Sequence, residues 1–238
     1  MFGHNPVMKP ETHDGSVLKV VKIFPTIQGE GPFAGHPSIF IRLHGCHLKC
    51  WFCDTEFSNP EDPEMPIEDI LGAVQSLAEK GRYKLVVITG GEPTRQPLGK
   101  LIAALIEAGF LIQIETAGSF WQECLRNTDV HIIVSPKTGV VHQEIQWLAR
   151  AYKYVISFAN YSADDGLPTA STQQKGMAAN IFRPDPSVQK VVKVPIYLSP
   201  MDEYDEGRNK ANRSLVALLA QKHGYIAGLQ LHKFMGVE

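Results

Sequence analysis

Cys46-His47-Leu48-Lys49-Cys50-Trp51-Phe52-Cys53 is the stretch around which the rest of this chain is organised. Its three cysteines are separated by three and then two residues, and the stretch follows an apolar run, residues 38–43. Thiolates are soft ligands that suit iron–sulfur clusters and zinc. Three thiolates on one short loop can hold three corners of a cubane cluster and leave the fourth iron without a cysteine. An open iron suits a cluster that must act on a small molecule, whereas simple electron transfer usually employs four cysteines.

Two other kinds of site also use clustered cysteines. A structural zinc site would need His44 or His47 to complete it, and such sites usually draw their ligands from two separated pairs. The chain has no second pair. A disulfide framework is typical of short secreted chains, and this chain has 238 residues. The spacing favours the cluster, and it is the spacing of the radical S-adenosylmethionine (SAM) superfamily, which the chain resembles.

The composition predicts one globular domain. With 238 residues and 44% hydrophobic content, residues 17–238 can bury a substantial core, while the polar residues 1–16 predict a flexible tail that lacks the apolar core of a signal peptide. A formal net charge of −2 gives no reason to expect binding to nucleic acid or to a membrane surface, and the apolar runs are too short to span a bilayer. The cysteine usage predicts a reducing, cytoplasmic environment. The isolated Cys124 is interpreted as a small buried hydrophobe.

Strand and helix patterns alternate along most of the chain. This alternation predicts an α/β fold with parallel strands and helical crossovers. Residues 159–189 show no clear periodicity and are expected to form an irregular insertion. The predicted strands are residues 17–24, 38–43, 84–89, 110–115, 130–134, 152–158, 191–198 and 225–231, and the predicted helices are residues 67–81, 98–106, 144–150 and 213–223.

Polar residues follow four of the predicted strands at the point where each strand ends. The cysteine loop follows Leu43, and Thr89 precedes Gly90-Gly91-Glu92-Pro93. Glu115-Thr116 ends a third strand, and Ser135-Pro136-Lys137 follows a fourth. Ligands gather at the carboxyl ends of parallel strands, so we expect these groups to share one rim.

Several of these residues have ordinary structural interpretations as well. The two glycines before Glu92 allow close backbone approach to a ligand whose ammonium the carboxylate would accept, but they also fit a simple strand-to-helix turn. Arg42 shares a strand face with Phe40, so it lies either at the surface or inward toward an anionic ligand. His232 is followed by an apolar tail, which indicates that this segment is docked rather than frayed.

These motifs together resemble the 7-carboxy-7-deazaguanine synthases of queuosine and 7-deazapurine biosynthesis. The resemblance runs from about Phe24 to the end of the chain. It implies a partial, modified (β/α) barrel of the radical SAM type that pairs as a homodimer. The matching motifs are Gln28-Gly29-Glu30-Gly31-Pro32, Arg42, the three cysteines with Asp54-Thr55, Thr89-Gly90-Gly91-Glu92-Pro93, Ile114-Glu115-Thr116, Ser135-Pro136-Lys137, Pro200-Met201 and Gln230-Leu231-His232-Lys233.

The resemblance also implies a reaction. A 4Fe–4S cluster on the three cysteines binds SAM and reduces it to a 5′-deoxyadenosyl radical, which abstracts hydrogen from C6 of 6-carboxy-5,6,7,8-tetrahydropterin. The ring contracts, ammonia leaves, and 7-carboxy-7-deazaguanine is formed, with SAM regenerated. Mg²⁺ binds the substrate carboxylate, and an external electron donor of the flavodoxin or ferredoxin type reduces the cluster.

Site residues follow from the same resemblance. Cys46, Cys50 and Cys53 hold the cluster, and Thr55 matches the magnesium ligand. Ser199 stands where some members have glutamine. The substrate positions are Ile27, Gln28, Gly29, Glu30, Arg42, Thr89, Glu115, His232 and the terminal carboxylate of Glu238. The SAM positions are Gly90, Gly91, Glu92, Ser135, Pro136, Lys137, Ser199, Pro200, Met201 and Asp202.

Two alternative functions remain open at the level of sequence. A glycyl-radical-enzyme activase has a similar size and cysteine spacing, but its partner is a protein, whereas Arg42 and the His232 tail favour a small anionic substrate. A non-enzymatic iron–sulfur carrier or zinc module is disfavoured by the count of three cysteines and by the rim of Gly90-Gly91-Glu92.

Overall fold

The computed structural model describes residues 5–172 and 180–237. Within them, nine strands and six helices follow one another along the chain. The strands are β1 (Val17–Ile27), β2 (Pro37–Leu43), β3 (Glu64–Pro66), β4 (Leu85–Gly90), β5 (Leu111–Thr116), β6 (Val130–Val134), β7 (Ala149–Ile156), β8 (Ile196–Pro200) and β9 (Ile226–Ala227). The helices are α1 (Ile67–Gly81), α2 (Gly99–Glu107), α3 (Gln143–Leu148), α4 (Pro186–Val192), α5 (Glu206–His223) and α6 (Leu231–Met235).

The strands form one open sheet in the order β3-β1-β2-β4-β5-β6-β7-β8-β9. From β2 onward every neighbouring pair is parallel, while β1 runs antiparallel to β2 and β3 runs antiparallel to β1. Because β3 and β9 do not pair with each other, the sheet does not close on itself. The predicted α/β class and the partial barrel are therefore confirmed.

Side-chain alternation gives the sheet two different faces. On the outer face, apolar residues of the central strands are fully buried in one core under the helices, for example Ile41 of β2, Ile88 of β4 and Ile114 of β5. The residues between them point to the inner face, since successive side chains of a strand alternate. Thr89 and Glu115 lie on that inner face, so the fold itself directs polar groups away from the core.

The N-terminal segment that the sequence analysis describes as a tail lies against the domain from residue 5 onward. Asn5 is buried, and its side chain bonds the backbone of Thr55 at 2.8 Å and of Phe57 at 3.2 Å. Further along the segment, Glu11 forms an ion pair of 2.7 Å with the buried Arg95. Residues 5–11 therefore form a strap across the cysteine loop. These residues are polar, as those of a free tail would be, because hydrogen bonds to backbone and an ion pair with a buried arginine hold the segment in place.

Two predicted elements in the second half of the chain have wrong bounds. The helix predicted over residues 144–150 ends at Leu148, because Ala149 already pairs with Ile132 of β6. Residues 191 and 192 belong to helix α4 rather than to a strand. That helix begins after Asp185, whose carboxylate accepts a 2.7 Å bond from the Ser187 amide. Helix propensity and capping decide this segment, and β8 starts only at Ile196.

The last predicted strand, residues 225–231, is also largely wrong. Only Ile226–Ala227 pairs with β8, and the chain then turns into α6. Helix α5 begins at Glu206, earlier than predicted, with Asp205 as its N-cap. Cys124, interpreted from the sequence as a small buried hydrophobe, lies in a short 3₁₀ turn, Glu123–Arg126, and is half-buried.

Part of the predicted irregular insertion, residues 173–179, lies outside the described residues. Among those described, no helix has the length and apolar character needed to cross a bilayer.

The strap generates a prediction about stability. Asn5→Ala removes the side chain that satisfies the Thr55 carbonyl and the Phe57 amide, so we expect the free energy of unfolding to fall by about 1–3 kcal/mol. Asn127→Ala is the control, because Asn127 makes only a local bond of 2.9 Å to the exposed Asp129 amide. Urea unfolding of both variants measures the difference. Equal midpoints would contradict an anchoring role for the strap.

Candidate active site

A cavity of about 290 Å³ lies at the carboxyl ends of the parallel strands. This is the end of such a sheet at which ligands bind. Most of the site residues predicted from sequence line it together. They are Glu30, Arg42, Cys46, Cys50, Cys53, Thr55, Thr89, Gly90, Gly91, Glu92, Glu115, Ser135, Lys137, Ser199, Pro200, Met201, Asp202 and His232.

Four predicted residues lie outside the cavity lining: Ile27, Gln28, Gly29 and Pro136. Gln28 reaches the site indirectly, because its amide donates to Glu115 Oε1 at 2.9 Å. The predicted substrate contact of the terminal carboxylate falls on Glu238, which lies outside the described residues, and it stays a prediction.

The cysteine loop is held from several parts of the chain. Cys46 is buried at the end of β2, and its carbonyl accepts a 2.7 Å bond from the Met8 amide of the strap. The Cys50 sulfur lies 3.2 Å from Thr172 Oγ1, and the Thr172 carbonyl accepts a bond from the Trp51 amide. The loop is thus fixed by segments far away in sequence.

The donor set fits a cationic iron–sulfur cluster. Burial, assisted by the charge of Glu92, raises the pKa of the Cys46 thiol to about 12, and burial also raises the pKa of Cys53. A coordinated metal deprotonates such thiols outright. Among residues 5–172 and 180–237, no three His, Cys, Asp or Glu side chains converge to hold a single metal ion. In a cubane cluster each thiolate binds a different iron, so its three sulfurs need not meet at one point.

The two glycines after Thr89 are required by packing against the cysteine loop. A Cβ on Gly90 would lie 2.3 Å from the Leu43 carbonyl oxygen, and one on Gly91 would lie 2.3 Å from that of Gly45. Contacts this short do not occur in real structures, so neither position accepts a side chain. The sequence predicts that these glycines let a ligand approach the backbone. In the structure they let the backbone after β4 approach the backbone after β2, which places the two loops side by side.

Glu92 is almost fully buried, and neighbouring groups fix its carboxylate. Oε1 accepts from the hydroxyls of Thr94 and Thr116, both at 2.6 Å, and Oε2 accepts from the Ala117 amide at 2.7 Å. A carboxylate has about four acceptor positions, so Oε2 keeps capacity for one more donor on the cavity side. This geometry suits an ammonium group of a ligand.

Arg42 points inward, as the functional interpretation predicts. It lines the cavity with Phe40, and its guanidinium lies 5.1 Å from the centre of the Phe24 ring. The ring restrains the arginine through a cation–π contact and leaves its N–H donors for an anionic ligand.

Ser135 and Lys137 form a polar corner on the wall next to the cysteine loop. The Lys137 ammonium donates to the Ser135 carbonyl at 2.9 Å and to its hydroxyl. Burial lowers the pKa of Lys137, and the charge of Cys50 opposes this effect. The Lys137 carbonyl accepts from Ser171 Oγ at 2.7 Å, so the described part of the insertion supports this corner.

The loop after β1 crosses the inner face of the sheet. Its Gln28 bonds Glu115 of β5, and the Phe33 ring packs edge-on against His131 of β6 at 5.1 Å. Its Glu30 then reaches Lys153 of β7 at 2.5 Å. The loop therefore spans three neighbouring strands and forms the floor of the cavity.

Lys153 lies between two carboxylates on this floor. Its ammonium is 2.5 Å from Glu30 Oε2 and 3.1 Å from Glu115 Oε2, and the lysine side chain is only 7% exposed. Burial lowers the pKa of Lys153, but the charges of Glu115 and Glu30 outweigh it and raise the pKa above its usual range. Burial likewise opposes ionisation of Glu115, and the charge of Lys153 nevertheless lowers the pKa of that carboxyl.

The C-terminal segment is docked onto the cavity, but not through the apolar residues from which the docking is predicted: Phe234, Met235 and Val237 are exposed, and the contacts come from backbone and polar groups. The Leu231 amide donates to the Gly29 carbonyl at 3.1 Å, and a Cβ on Gly29 would collide with the His232 ring. Lys233 forms ion pairs with Asp54 at 3.3 Å and with Asp202 at 3.1 Å. Helix α6 thus connects the loop after β1, the cysteine loop and the segment after β8.

Lys153, Asn5 and Thr172 are among the residues at or beside the site that were not predicted. Lys153 shows the same sequence pattern as Arg42, a charged residue that interrupts an apolar strand, so the pattern is enough to predict it. Asn5 lines the cavity from the supposed tail, and Thr172 bonds a cysteine from the supposed insertion. No local pattern marks these two, because their roles depend on long-range contacts.

The glycine packing generates a prediction. In Gly91→Ala the new methyl group meets the Gly45 carbonyl, so we expect a loss of about 1–3 kcal/mol in unfolding free energy and little iron uptake on anaerobic reconstitution. Gly99→Ala is the matched control, because its Cβ would meet nothing within 4 Å. Iron analysis and urea unfolding measure both effects. Equal iron content in the two variants would contradict this view of the contact.

The comparisons with known proteins agree on one family. The sequence model of the radical SAM superfamily matches residues 40–156. The chain is 38% identical to the 7-carboxy-7-deazaguanine synthase of Rhodospirillum rubrum, with 100% of both chains covered. It is 40% identical to the synthase of Rickettsia prowazekii, over 100% of this chain and 96% of that protein. The crystal structure of QueE from Escherichia coli shares its fold, with a TM-score of 0.64 and 24% identity over 91% of this chain and 95% of that one.

Proposed function

The chain belongs to the 7-carboxy-7-deazaguanine synthase family of the radical SAM superfamily, and from this membership we propose how its cavity binds SAM, metal and substrate. As a member it uses a 4Fe–4S cluster, SAM and Mg²⁺ and acts on a small-molecule pterin, with a reductant supplying the electron. Its reaction is the radical ring contraction of 7-deazapurine biosynthesis. When bound, the cluster and SAM supply a carbon-centred radical, which protein side chains do not offer.

The observation that most supports this function is that one cavity brings together all three cysteines, groups suited to SAM and groups suited to a pterin acid. On the wall beside the cysteine loop are Glu92, Ser135 and Lys137, and across the floor are Glu30 and Glu115. An amino acid cofactor requires an acceptor for its ammonium and a cation for its carboxylate, and the wall supplies both. A pterin acid requires acceptors for its N–H groups and a cation for its carboxylate.

We assign SAM to the wall. Glu92 Oε2 accepts the ammonium, since Oε1 already accepts from Thr94 and Thr116 while Oε2 accepts from Ala117 and keeps one position, and Lys137 faces the carboxylate. The segment Ser199, Pro200, Met201 and Asp202 bounds the far side. These assignments are supported by the lining of the cavity and by the fixed orientation of Glu92.

We assign the pterin to the floor. Arg42 binds its carboxylate, and Glu30 and Glu115 accept from its N–H groups, with Thr89 and His232 bounding the position. Burial lowers the pKa of His232, so at neutral pH this ring is a neutral donor or acceptor. A substrate that is bound at both ends fills the cavity and so keeps water away from a reactive radical.

Thr55 is the proposed protein ligand of Mg²⁺. Its hydroxyl lies 3.3 Å from Asp54 Oδ1, so the position is rich in oxygen, and Mg²⁺ keeps most of its shell for water and substrate. The Asn5 bond to the Thr55 carbonyl holds this residue at the cavity. Held by Thr55, the ion would offset the negative charge of the substrate carboxylate.

The partners and location are also proposals. Exposed apolar side chains at the C-terminal end, among them Phe234 and Met235, support a homodimer. An electron donor of the flavodoxin or ferredoxin type would approach the cysteine loop where Trp51 is exposed. None of the four cysteines, all within the part of the chain that the structure describes, forms a disulfide bond, and three of them are the proposed iron ligands, which supports a cytoplasmic location.

The function is tested by anaerobic reconstitution and assay with 6-carboxytetrahydropterin. Cys46→Ala, Cys50→Ala and Cys53→Ala should each abolish reductive SAM cleavage and product formation. Cys124→Ala is the control, since this half-buried thiol lies apart from the cavity. Iron content and product yield are measured together. Full activity in any of the first three variants would refute the cluster assignment.

The magnesium site is tested separately. Turnover should rise on addition of Mg²⁺, and Thr55→Ala should increase the Mg²⁺ concentration for half-maximal rate by about 10-fold or more. Thr138→Ala serves as the control, because this exposed hydroxyl bonds the backbone of Val140. The assignment fails if chelator and Mg²⁺ give the same turnover, or if both variants respond alike.

A further inference from the structure

We propose that Lys153 is a positioning residue that holds the Glu30 and Glu115 carboxylates side by side in the cavity as the paired acceptors for the N–H-rich edge of the pterin. The inference rests on the proposed function, because it concerns the same floor of the cavity. It assigns a role to a buried charge that the family motifs quoted above do not include.

The first step is the position of Lys153 on β7. Its neighbours Tyr152 and Tyr154 are buried in the outer core, so alternation directs the lysine to the inner face. There it lines the cavity and is almost fully buried. A lysine is rarely buried unless it is paired, and this one is paired twice.

The second step is that Lys153 pairs with carboxylates from two parts of the chain that are far apart in sequence. Glu30 belongs to the loop after β1, 123 residues away, while Glu115 belongs to β5, 38 residues away. Two carboxylates near each other repel in a buried site, and one would take up a proton. The ammonium between them offsets this repulsion and fixes their separation.

The third step is the acceptor capacity that remains. Glu115 Oε1 accepts from the amides of Gln28 at 2.9 Å and Gln113 at 3.0 Å, and its Oε2 accepts from Lys153. Within the described part of the chain no donor is assigned to Glu30 Oε1, and Glu115 Oε2 has room for a second donor. Both free positions belong to residues that line the cavity.

The fourth step is charge. Two carboxylates and one ammonium leave a net charge of −1 at the floor, while Arg42 adds a positive charge on β2, two strands along the sheet from Glu115 of β5. A ligand with a carboxylate at one end and a guanidine-like 2-amino edge at the other matches this separation. The floor therefore recognises the pyrimidine edge of the pterin rather than its acid group.

The test is equilibrium binding to the reconstituted holoenzyme with SAM present, under anaerobic conditions. The probes are 6-carboxytetrahydropterin and its lumazine analogue, which has a carbonyl oxygen in place of the 2-amino group. Wild-type protein should prefer the pterin by about 10-fold or more. Lys153→Met should weaken pterin binding by about 30-fold or more and lose this preference, while SAM affinity and iron content stay unchanged.

Three further variants sharpen the result. Lys153→Arg keeps the charge and should restore most of the affinity and the preference. Glu30→Gln leaves Lys153 its partner Glu115, so it tests the same site even where Lys153→Met fails to fold, and it should also lose the preference. Arg183→Met is the matched control, since it breaks an ion pair of 2.9 Å with Asp165 outside the cavity lining.

The outcomes distinguish a failure of the proposed function from a failure of the role proposed for Lys153. If wild-type protein binds no carboxypterin, the proposed function fails. If it binds, but Lys153→Met and Glu30→Gln keep both affinity and preference, only the role of Lys153 is overturned. Loss of SAM binding or iron together with pterin binding in Lys153→Met also overturns it, in favour of a general structural role.

Discussion

The contact between the backbone of Gly91 and that of Gly45 is the constraint on which the site depends. It sets the strand end that carries Glu92 directly against the loop that carries Cys46. Two hydrogen bonds continue the contact, from the Gly91 amide to the Leu43 carbonyl at 3.3 Å and from the Glu92 amide to the Gly45 carbonyl at 3.0 Å. A side chain at either glycine would separate the wall that we propose for SAM from the cysteine sulfurs that we propose as cluster ligands.

Buried charge is the second organising element, and the structure handles it in the same way throughout. Glu92 is surrounded by hydroxyl and amide donors, Arg95 meets Glu11, and Lys153 is shared between two carboxylates. Removing a partner from such a group is costly, because an unpaired charge remains in a dry environment. Each group therefore has its partners on a different strand or loop, and the polar interior helps to specify how the loops sit on the sheet.

The sequence predicted the fold class, the rim and most of the cavity lining, because these follow from local patterns. Alternation within a strand is enough to place Arg42 and Glu115 on the inner face, and parallel strands are enough to bring their ends together. The same rule applied to Lys153 would have found it. Asn5 and Thr172 could not be found in this way, since neither sits in a regular element and each acts through backbone contacts made across the whole chain. The strands predicted near the C-terminal end are wrong at α4 and α6, because helix capping and docking of the segment override strand propensity there.

The cysteine loop has consequences for how the protein is assembled. Cys46 is bonded by the strap near the start of the chain, and Cys50 is bonded by Thr172, 122 residues further on. During synthesis the ribosome releases the loop long before Thr172 exists, so the loop spends that time without one of its supports. Contacts of such long range form late, because the intervening chain must first be ordered. The support of the cysteine loop is therefore complete only once the chain has been synthesised past Thr172, and a nascent fragment that ends soon after Cys53 presents its three thiols without it.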